Sequence, residues 1–368
     1  MSNNFDTIFF IPRLSGGGAE RSISKLIWNL AILHPEKKFL LCLMKNSQIP
    51  EHFKILQNLS ISRSFSDKLS FSFLWIFNLI KKNKSKRIFA AQNHVNIVVS
   101  FACMLAGQTN KLILSERAYT KIAVDRNKYW IRSFIQDKLI TFTYKQASLI
   151  HCVSRDVKFG LVKYYKISPK KIITIPNIID IEENNRLANL KSLKLDKKYI
   201  LFIGRLHNQK NIQMLIDAYL RLDRKHKVSL LIIGEGSEKE KIRKIIHEKN
   251  LEDHIRMLGY IENPFPYIKN SSLLALSSDY EGMPNVLLEA ISLGVPIVST
   301  NCHSGPYEVV VDNFYGSLSN VGDVKGFTRN MENSLLQQDK RYKCNINPSY
   351  SMKSVISRFS KLLFDDRN

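Results

Sequence analysis

The chain alternates two kinds of segment along most of its length, and this alternation constrains the fold more than any other feature. Short apolar runs occur at Thr7–Ile11, Phe39–Leu43, Arg87–Ala91, Lys111–Leu114, Ser148–Val153 and Ile172–Ile175. They lack strict two-residue alternation, which suits strands covered on both faces. The stretches between strands have helical spacing, as in Ser22–Ile32, Ile212–Leu222, Glu238–Lys249 and Val286–Ser292. Such alternation predicts parallel sheets built from β-α-β units. The pattern restarts at Tyr199–Ile203 and continues through Val228–Ile233, Ile255–Leu258, Leu273–Leu276 and Pro296–Ser299. Between the two series, residues 181–198 are polar and weak in periodicity, and read as a linker. The expectation is two α/β domains, 1–185 and 186–350, then a terminal helical segment, 351–368, that can pack back on the first domain.

Several classes are disfavoured. No apolar run reaches the ~18 residues that cross a bilayer. The opening Met1–Asp6 is not a charged n-region leading into a long apolar h-region, so a secretory signal is not expected. Cys42, Cys103, Cys152, Cys302 and Cys344 lie far apart with no C-x-x-C pair. A disulfide framework or structural zinc site is therefore disfavoured, and a reducing cytoplasm fits.

Charge is distributed unevenly. Residues 1–180 hold 28 of the 55 Lys and Arg but only 10 of the 32 Asp and Glu, which places +18 of the net +23 in the first half. That half is suited to an anionic neighbour: a phosphorylated ligand, a membrane surface or nucleic acid. A general Lys and Asn bias is the alternative, but it would not favour one half.

The most informative segment is DYEGMPNVLLEAISLGVPIVST, from Asp279. It follows a strand, turns through Gly and Pro, and enters a helix near Asn285. The amides of Gly282, Met283, Asn285 and Val286 are candidates for an anion, since a helix start offers free N–H groups and a positive dipole end. Glu281 in the loop and Glu289 inside the helix suit sugar or ribose hydroxyls, or merely favour the helix start. Upstream, YILFIGRLHNQKN ends a strand and projects Arg205 and Lys210, two cations placed to neutralise a diphosphate. Near the start, Ser15-Gly16-Gly17-Gly18-Ala19-Glu20-Arg21 follows the first strand. Its glycines permit positive φ and close backbone approach. The G-x-G-x-x-G spacing fails at Arg21, which disfavours a nicotinamide site and leaves either an amide nest for phosphate or a tight turn.

These blocks, with VSRDVK, IPNIID, LLIIGEGSEKEKIRK and CHSGPYEVVVDNFYG, occur in one order over most of the chain. The sequence resembles the retaining GT-B glycosyltransferases of family 4, particularly bacterial envelope-polysaccharide and lipid-linked-glycan enzymes. The resemblance implies an α/β, GT-B fold of two Rossmann-like domains facing across a cleft. The first domain would bind the acceptor and the second the nucleotide sugar. It implies that Glu281 contacts the donor sugar, Glu289 the ribose, and Arg205 and Lys210 the leaving diphosphate. The Gly16–Gly18 loop would approach that diphosphate, and Tyr260 and Ile261 would lie against the base. The Gly305–Glu308 loop, of Gly-Pro-x-Glu form, is similar to that of enzymes using UDP-sugars. No metal or other cofactor is implied, and the sequence offers no D-x-D constellation near a strand end; Asp365-Asp366 sits in the tail.

In the first domain, Ser115-Glu116-Arg117 follows a strand where several family members carry a His. Glu116 and Arg117 are candidates for acceptor or phosphate contact, with a helix-start salt bridge as the alternative. His94, at another strand end, is a further candidate or a rim histidine. Two stretches suit a membrane interface or a packed helix: Phe71–Ile80, running into Lys81–Arg87, and Tyr129–Lys145. The expected activity is transfer of a hexose or N-acetylhexosamine from a UDP-sugar to an undecaprenyl-diphosphate-type glycan. It would serve capsule, O-antigen or similar envelope synthesis at the cytoplasmic face of an anionic membrane. A GT-B enzyme acting on a small or storage-glycan acceptor, and a non-catalytic scaffold, are the alternatives. Nucleic acid is disfavoured because typical RNA-reading motifs are absent.

Overall fold

The computed structural model describes residues 4–14, 17–45, 47–64, 69–125, 130–190, 198–223, 228–312, 315–336 and 346–365. Gly16, Tyr129, Cys344, Asp366 and residues 191–197 of the expected linker lie outside the described residues. The chain divides into two compact units. The first comprises Met1–Ile178 with Met352–Asn368, and the second comprises Ile179–Ser351.

In the first unit the elements run β1 (Asn4–Ile11), α1 (Gly18–Leu33), β2 (Phe39–Leu43), α2 (Glu51–Lys54), β3 (Leu59–Arg63), α3 (Leu69–Lys82) and β4 (Lys84–Ala91). They continue with α4 (Asn93–Leu105), β5 (Leu112–Glu116), α5 (Thr120–Asp125), α6 (Trp130–Gln146), β6 (Leu149–Cys152), α7 (Arg155–Tyr165) and β7 (Ile172–Thr174). The strands form one parallel seven-stranded sheet in the order β3-β2-β1-β4-β5-β6-β7.

The second unit runs α8 (Ile181–Asn189), β8 (Tyr199–Ile203), α9 (Ile212–Leu220), β9 (Ser229–Ile233), α10 (Lys239–Glu248), β10 (Ile255–Gly259) and α11 (Phe265–Asn270). After these come β11 (Leu273–Leu276), α12 (Asn285–Ser292), β12 (Ile297–Thr300), α13 (Pro306–Asp312), β13 (Ser317–Ser319) and α14 (Val324–Leu336). Its parallel six-stranded sheet has the order β10-β9-β8-β11-β12-β13.

The unalternating strands are central because both their faces must be covered. Phe9, Leu41, Phe89 and Ile113 of the first sheet pack with Leu26, Ile27 and Leu30 of α1. The same core takes in the final helix, α15 (Met352–Phe364), through Val355, Ile356, Phe359, Leu362 and Leu363. Each such side chain removed from water contributes about 1.5–3 kcal/mol. Arg358 fixes the helix further by donating to the Thr174 carbonyl. Ile179 and Ser351 pair as a parallel bridge, so the chain enters and leaves the second unit side by side.

Three expectations need correction. Residues 181–189 of the expected linker are helical: Asp180 caps α8 by accepting from the Glu183 amide, and Asn184 donates to Ser292 in α12. The Asp180-x-x-Glu183 pattern is a capping signal that the weak apolar periodicity concealed. The basic run after α3 is not all surface helix end, because β4 begins at Lys84 and pairs with Asn4 and Phe5 of β1. The strands β3 and β13 escaped the apolar-run criterion because each is an edge strand, short and only partly buried.

In each sheet the strand order reverses direction once, between β1 and β4 and between β8 and β11. The loops after the carboxyl ends of these strands diverge there and leave a crevice, which is where open parallel sheets bind ligands.

Candidate active site

The reversal point of the second sheet brings together residues far apart in sequence. Strand β8 ends at Ile203, and the following loop carries Arg205, exposed, and Lys210. Strand β11 ends at Leu276, and its loop carries Glu281 into α12. Lys210 Nζ lies 2.5 Å from Glu281 Oε1, and the two side chains are only 13% and 8% exposed. Ser278 also donates to Glu281 Oε1, at 2.6 Å.

Several bonds hold these two loops together. Ser277 donates to the Lys210 carbonyl at 2.8 Å. The Asp279 amide donates to the Gln209 carbonyl at 2.9 Å, and Gln209 Nε2 to the Tyr280 carbonyl at 2.7 Å. Asn211, in the left-handed region with φ 43°, caps α9 and donates to Asp279 at 2.8 Å. A third loop joins from β12. The Glu281 amide donates to the His303 carbonyl, and Ser304 donates to the Gly282 carbonyl at 2.7 Å. Gly305 has φ +95°, and a Cβ there would meet Pro284 Cδ at 2.6 Å and the Gly282 carbonyl oxygen at 2.9 Å. Glycine therefore lets this loop press against the turn that carries Glu281.

Helix α12 starts at Asn285, directly after Pro284, which offers no side-chain cap. Gly282 and Met283 are buried in the turn, Asn285, Val286 and Glu289 are half-buried, and Glu308 is buried at the start of α13. Tyr260 is exposed and Ile261 half-buried, immediately beyond β10, whose last residue Gly259 has φ +71°. The arrangement sets a buried cation and two carboxylates around a helix start. It suits a ligand that is anionic at one end and rich in hydroxyls at the other.

In the first unit, the described part of the glycine loop differs from expectation. Gly17 is extended, with φ −142°, and Gly18 is already the first residue of α1. Neither needs positive φ. His94 lies in the first turn of α4, after Gln92, whose φ is 78°. Its pKa is lowered, chiefly by lost solvation and further by Lys45, with Glu20 opposing.

Glu116 is turned into the interior. Its Oε1 accepts the Arg117 amide at 3.0 Å, and its Oε2 accepts the Tyr144 hydroxyl. Burial raises its pKa, and the Tyr144 bond opposes the shift. Asn96 donates to both the Tyr144 hydroxyl and the Ser115 carbonyl, at 2.9 and 3.1 Å. Glu116 thus braces the end of β5. Arg117, half-buried, donates from Nη2 to Ser22 at 2.9 Å and to Asn177 at 2.5 Å. It ties α1 to the segment after β7. Burial draws its pKa down to about 10, which leaves it a cation at neutral pH.

The sequence reading passed over His151. Its Nε2 donates to the Ile175 carbonyl at 2.8 Å, so Nδ1 accepts from Ser115 at 2.9 Å. Burial, then Arg117, lower its pKa to about 3. A His that is neutral when folded binds its proton only when unfolded. Its stabilising effect is full above about 6.5 and declines as pH falls toward 3. Unfolding of the first unit should therefore become easier below pH 6.5, at up to about 1.4 kcal/mol per pH unit from this one proton. His151→Gln should flatten that slope in denaturant melts. An unchanged slope would place the acid sensitivity elsewhere.

Comparison with known proteins agrees with this architecture. Residues 16–183 match the family model described as Glycosyltransferase Family 4, and residues 185–348 match the model Glycosyl transferases group 1. The chain is 32% identical over 338 residues to N-acetylgalactosamine-N,N'-diacetylbacillosaminyl-diphospho-undecaprenol 4-alpha-N-acetylgalactosaminyltransferase of Campylobacter jejuni, covering 90% of both chains. Among solved structures, the lipopolysaccharide outer core galactosyltransferase WaaB aligns with TM-score 0.71 at 21% identity, covering 97% of this chain and 99% of that one. Anabaena HepE, solved with UDP and glucose, aligns with TM-score 0.72 at 16% identity, covering 98% and 95%. The two parallel α/β units are those of a GT-B enzyme. The chain belongs to the family 4 glycosyltransferases.

Proposed function

We propose that the enzyme transfers a hexose or N-acetylhexosamine, with retention at the anomeric carbon, from a UDP-sugar to an undecaprenyl-diphosphate-linked glycan in envelope polysaccharide synthesis. It would work at the cytoplasmic face of the membrane and without a metal. The observation that carries this reading is the buried Lys210–Glu281 pair at the reversal point of the second sheet. An ammonium has three donors. Lys210 can hold Glu281 with one and turn another to the diphosphate, which orients the sugar hydroxyls toward Glu281. Arg205 supplies the second positive charge, Glu289 takes ribose, and Tyr260 and Ile261 flank the base.

In transfer, the bond from the anomeric carbon to the diphosphate oxygen breaks and a bond to the acceptor hydroxyl oxygen forms on the same face. The acceptor proton passes to the leaving diphosphate, whose charge Lys210, Arg205 and the α12 amides stabilise. The acceptor class rests on the diphospho-undecaprenol named for the Campylobacter relative. The choice of UDP rests on the HepE complex.

Calorimetry with UDP, GDP, ADP and UMP, with and without Mg²⁺, tests the donor half. UDP should bind without metal and more tightly than UMP, and Arg205→Ala should weaken it about tenfold, the value of one charge-assisted contact. Preference for GDP would change the donor class. Failure to bind any nucleoside diphosphate would leave the non-catalytic scaffold as the better account.

A further inference from the structure

Two consecutive serines, Ser277 and Ser278, follow β11, and both are fully buried. A buried hydroxyl must find an acceptor. Ser277, Thr300 and Ser304 donate to the main-chain carbonyls of Lys210, Ser278 and Gly282, at 2.8, 2.5 and 2.7 Å. Ser278 donates instead to a charged carboxylate, that of Glu281. The two serines thus hold the two members of one ion pair. Ser277 grips the backbone that carries Lys210, and Ser278 grips the side chain of Glu281.

This divides the carboxylate between two tasks. Each carboxylate oxygen offers about two lone-pair sites. Glu281 Oε1 receives Lys210 Nζ at 2.5 Å and Ser278 Oγ at 2.6 Å, so it is filled. Oε2 accepts from none of the described residues and keeps contact with solvent. Lys210 alone would fix a distance, because an ammonium rotates on a flexible stem. A second donor from another direction also fixes the plane of the carboxylate. Ser278 is itself held from two sides. Thr300 of β12 claims its carbonyl, and the next amide, of Asp279, bonds to Gln209 in the β8 loop.

We infer that Ser277 and Ser278 are positioning residues of the donor site. Ser278 assigns Oε1 of Glu281 to the protein and leaves Oε2 to accept from the donor sugar. Ser277 keeps Lys210 at the diphosphate. The inference rests on the proposed donor site and deepens it. The sugar group that meets Oε2 must be a hydrogen-bond donor, a hydroxyl or an amide N–H, because an ionised carboxylate only accepts.

The probes are UDP and the UDP-linked forms of glucose, galactose, N-acetylglucosamine and N-acetylgalactosamine. The rate is read as hydrolysis of the best of these by the full chain, with water as acceptor and UDP and free sugar as products. Ser278→Ala should slow hydrolysis at saturating donor about tenfold, the lower end for a hydrogen bond to a charged group. It should change the affinity for UDP, which has no sugar, by less than about twofold. Ser277→Ala, equally buried and one position away, should weaken UDP about fivefold, the value of one neutral hydrogen bond. Ser278→Cys, a weaker donor of similar size, should fall between wild type and Ser278→Ala in rate. Added to Glu281→Ala, the Ser278→Ala change should slow hydrolysis no further, because it acts through that carboxylate. Equal slowing with and without Glu281, or a loss of UDP affinity that matches the loss of rate, would make Ser278 an ordinary structural residue and overturn the inference. So would wild-type rate and UDP affinity in both serine variants. A wild-type chain that binds no nucleoside diphosphate would remove the proposed function and this inference with it.

Discussion

Lys210→Ala should lower kcat by about 10²–10³, the effect of removing one preorganised charge-stabilising donor from an active site, and should weaken UDP binding as well. The stability effect separates this residue from an ordinary surface lysine. Lys210 and Glu281 are almost fully buried and in contact. Removing one partner leaves a buried charge uncompensated, which costs about 3–5 kcal/mol. Glu281→Gln keeps an acceptor for the Ser278 hydroxyl but has no charge to pair. The double variant Lys210→Ala with Glu281→Gln should therefore recover much of the lost stability and none of the lost turnover. Denaturant midpoints and single-turnover rates on the four proteins of this cycle test both statements. A double variant as unstable as Lys210→Ala would mean that the pair does not set the local stability. A Lys210→Ala enzyme with wild-type kcat and UDP affinity would remove Lys210 from the chemistry altogether.

The sequence carried this site to different depths. The blocks that supply Arg205, Lys210, Glu281 and Glu289 were legible because strand-loop-helix punctuation by Gly and Pro is local. That Lys210 would lie against Glu281 was not, since 71 positions separate them and the contact depends on β8 and β11 being neighbours in the sheet. The central strands were legible because burial on both faces leaves an apolar run. The edge strands β3 and β13, and the capped but mostly polar α8, leave weaker traces. Glu116 shows the limit most clearly. Its place at the end of β5 could be read from the chain. Its inward direction follows from Tyr144, 28 residues later, which claims one carboxylate oxygen. His151 gave no signal because a satisfied core histidine and a ligand look alike in sequence.

The same dependence on neighbouring strands makes Gly234→Ala the most disruptive small substitution expected in the second unit. Gly234 follows β9 with φ +144°, and a Cβ there would lie 1.9 Å from the Gly204 carbonyl oxygen and 3.0 Å from its carbon. Both atoms are backbone, so no rotamer change relieves the clash. The two loops are also bonded to each other: Gly204 N to the Ile233 carbonyl at 3.0 Å, Leu206 N to the Glu235 carbonyl at 2.9 Å, and Glu238 N to the Leu206 carbonyl at 2.9 Å. An added methyl must push the β8 loop outward and break part of this set, and the β8 loop is what carries Arg205 and Lys210. A loss of about 3 kcal/mol or more from the second unit follows, with UDP affinity falling in the folded fraction. Gly107→Ala is the control. Its φ is +65°, but nothing lies within 4 Å of the added carbon, so only the left-handed backbone penalty of about 1 kcal/mol applies. Urea unfolding of both variants, followed with UDP titration, separates clash from backbone preference. If Gly234→Ala is no less stable than Gly107→Ala, the close approach of the two loops does not hold Arg205 and Lys210 in place.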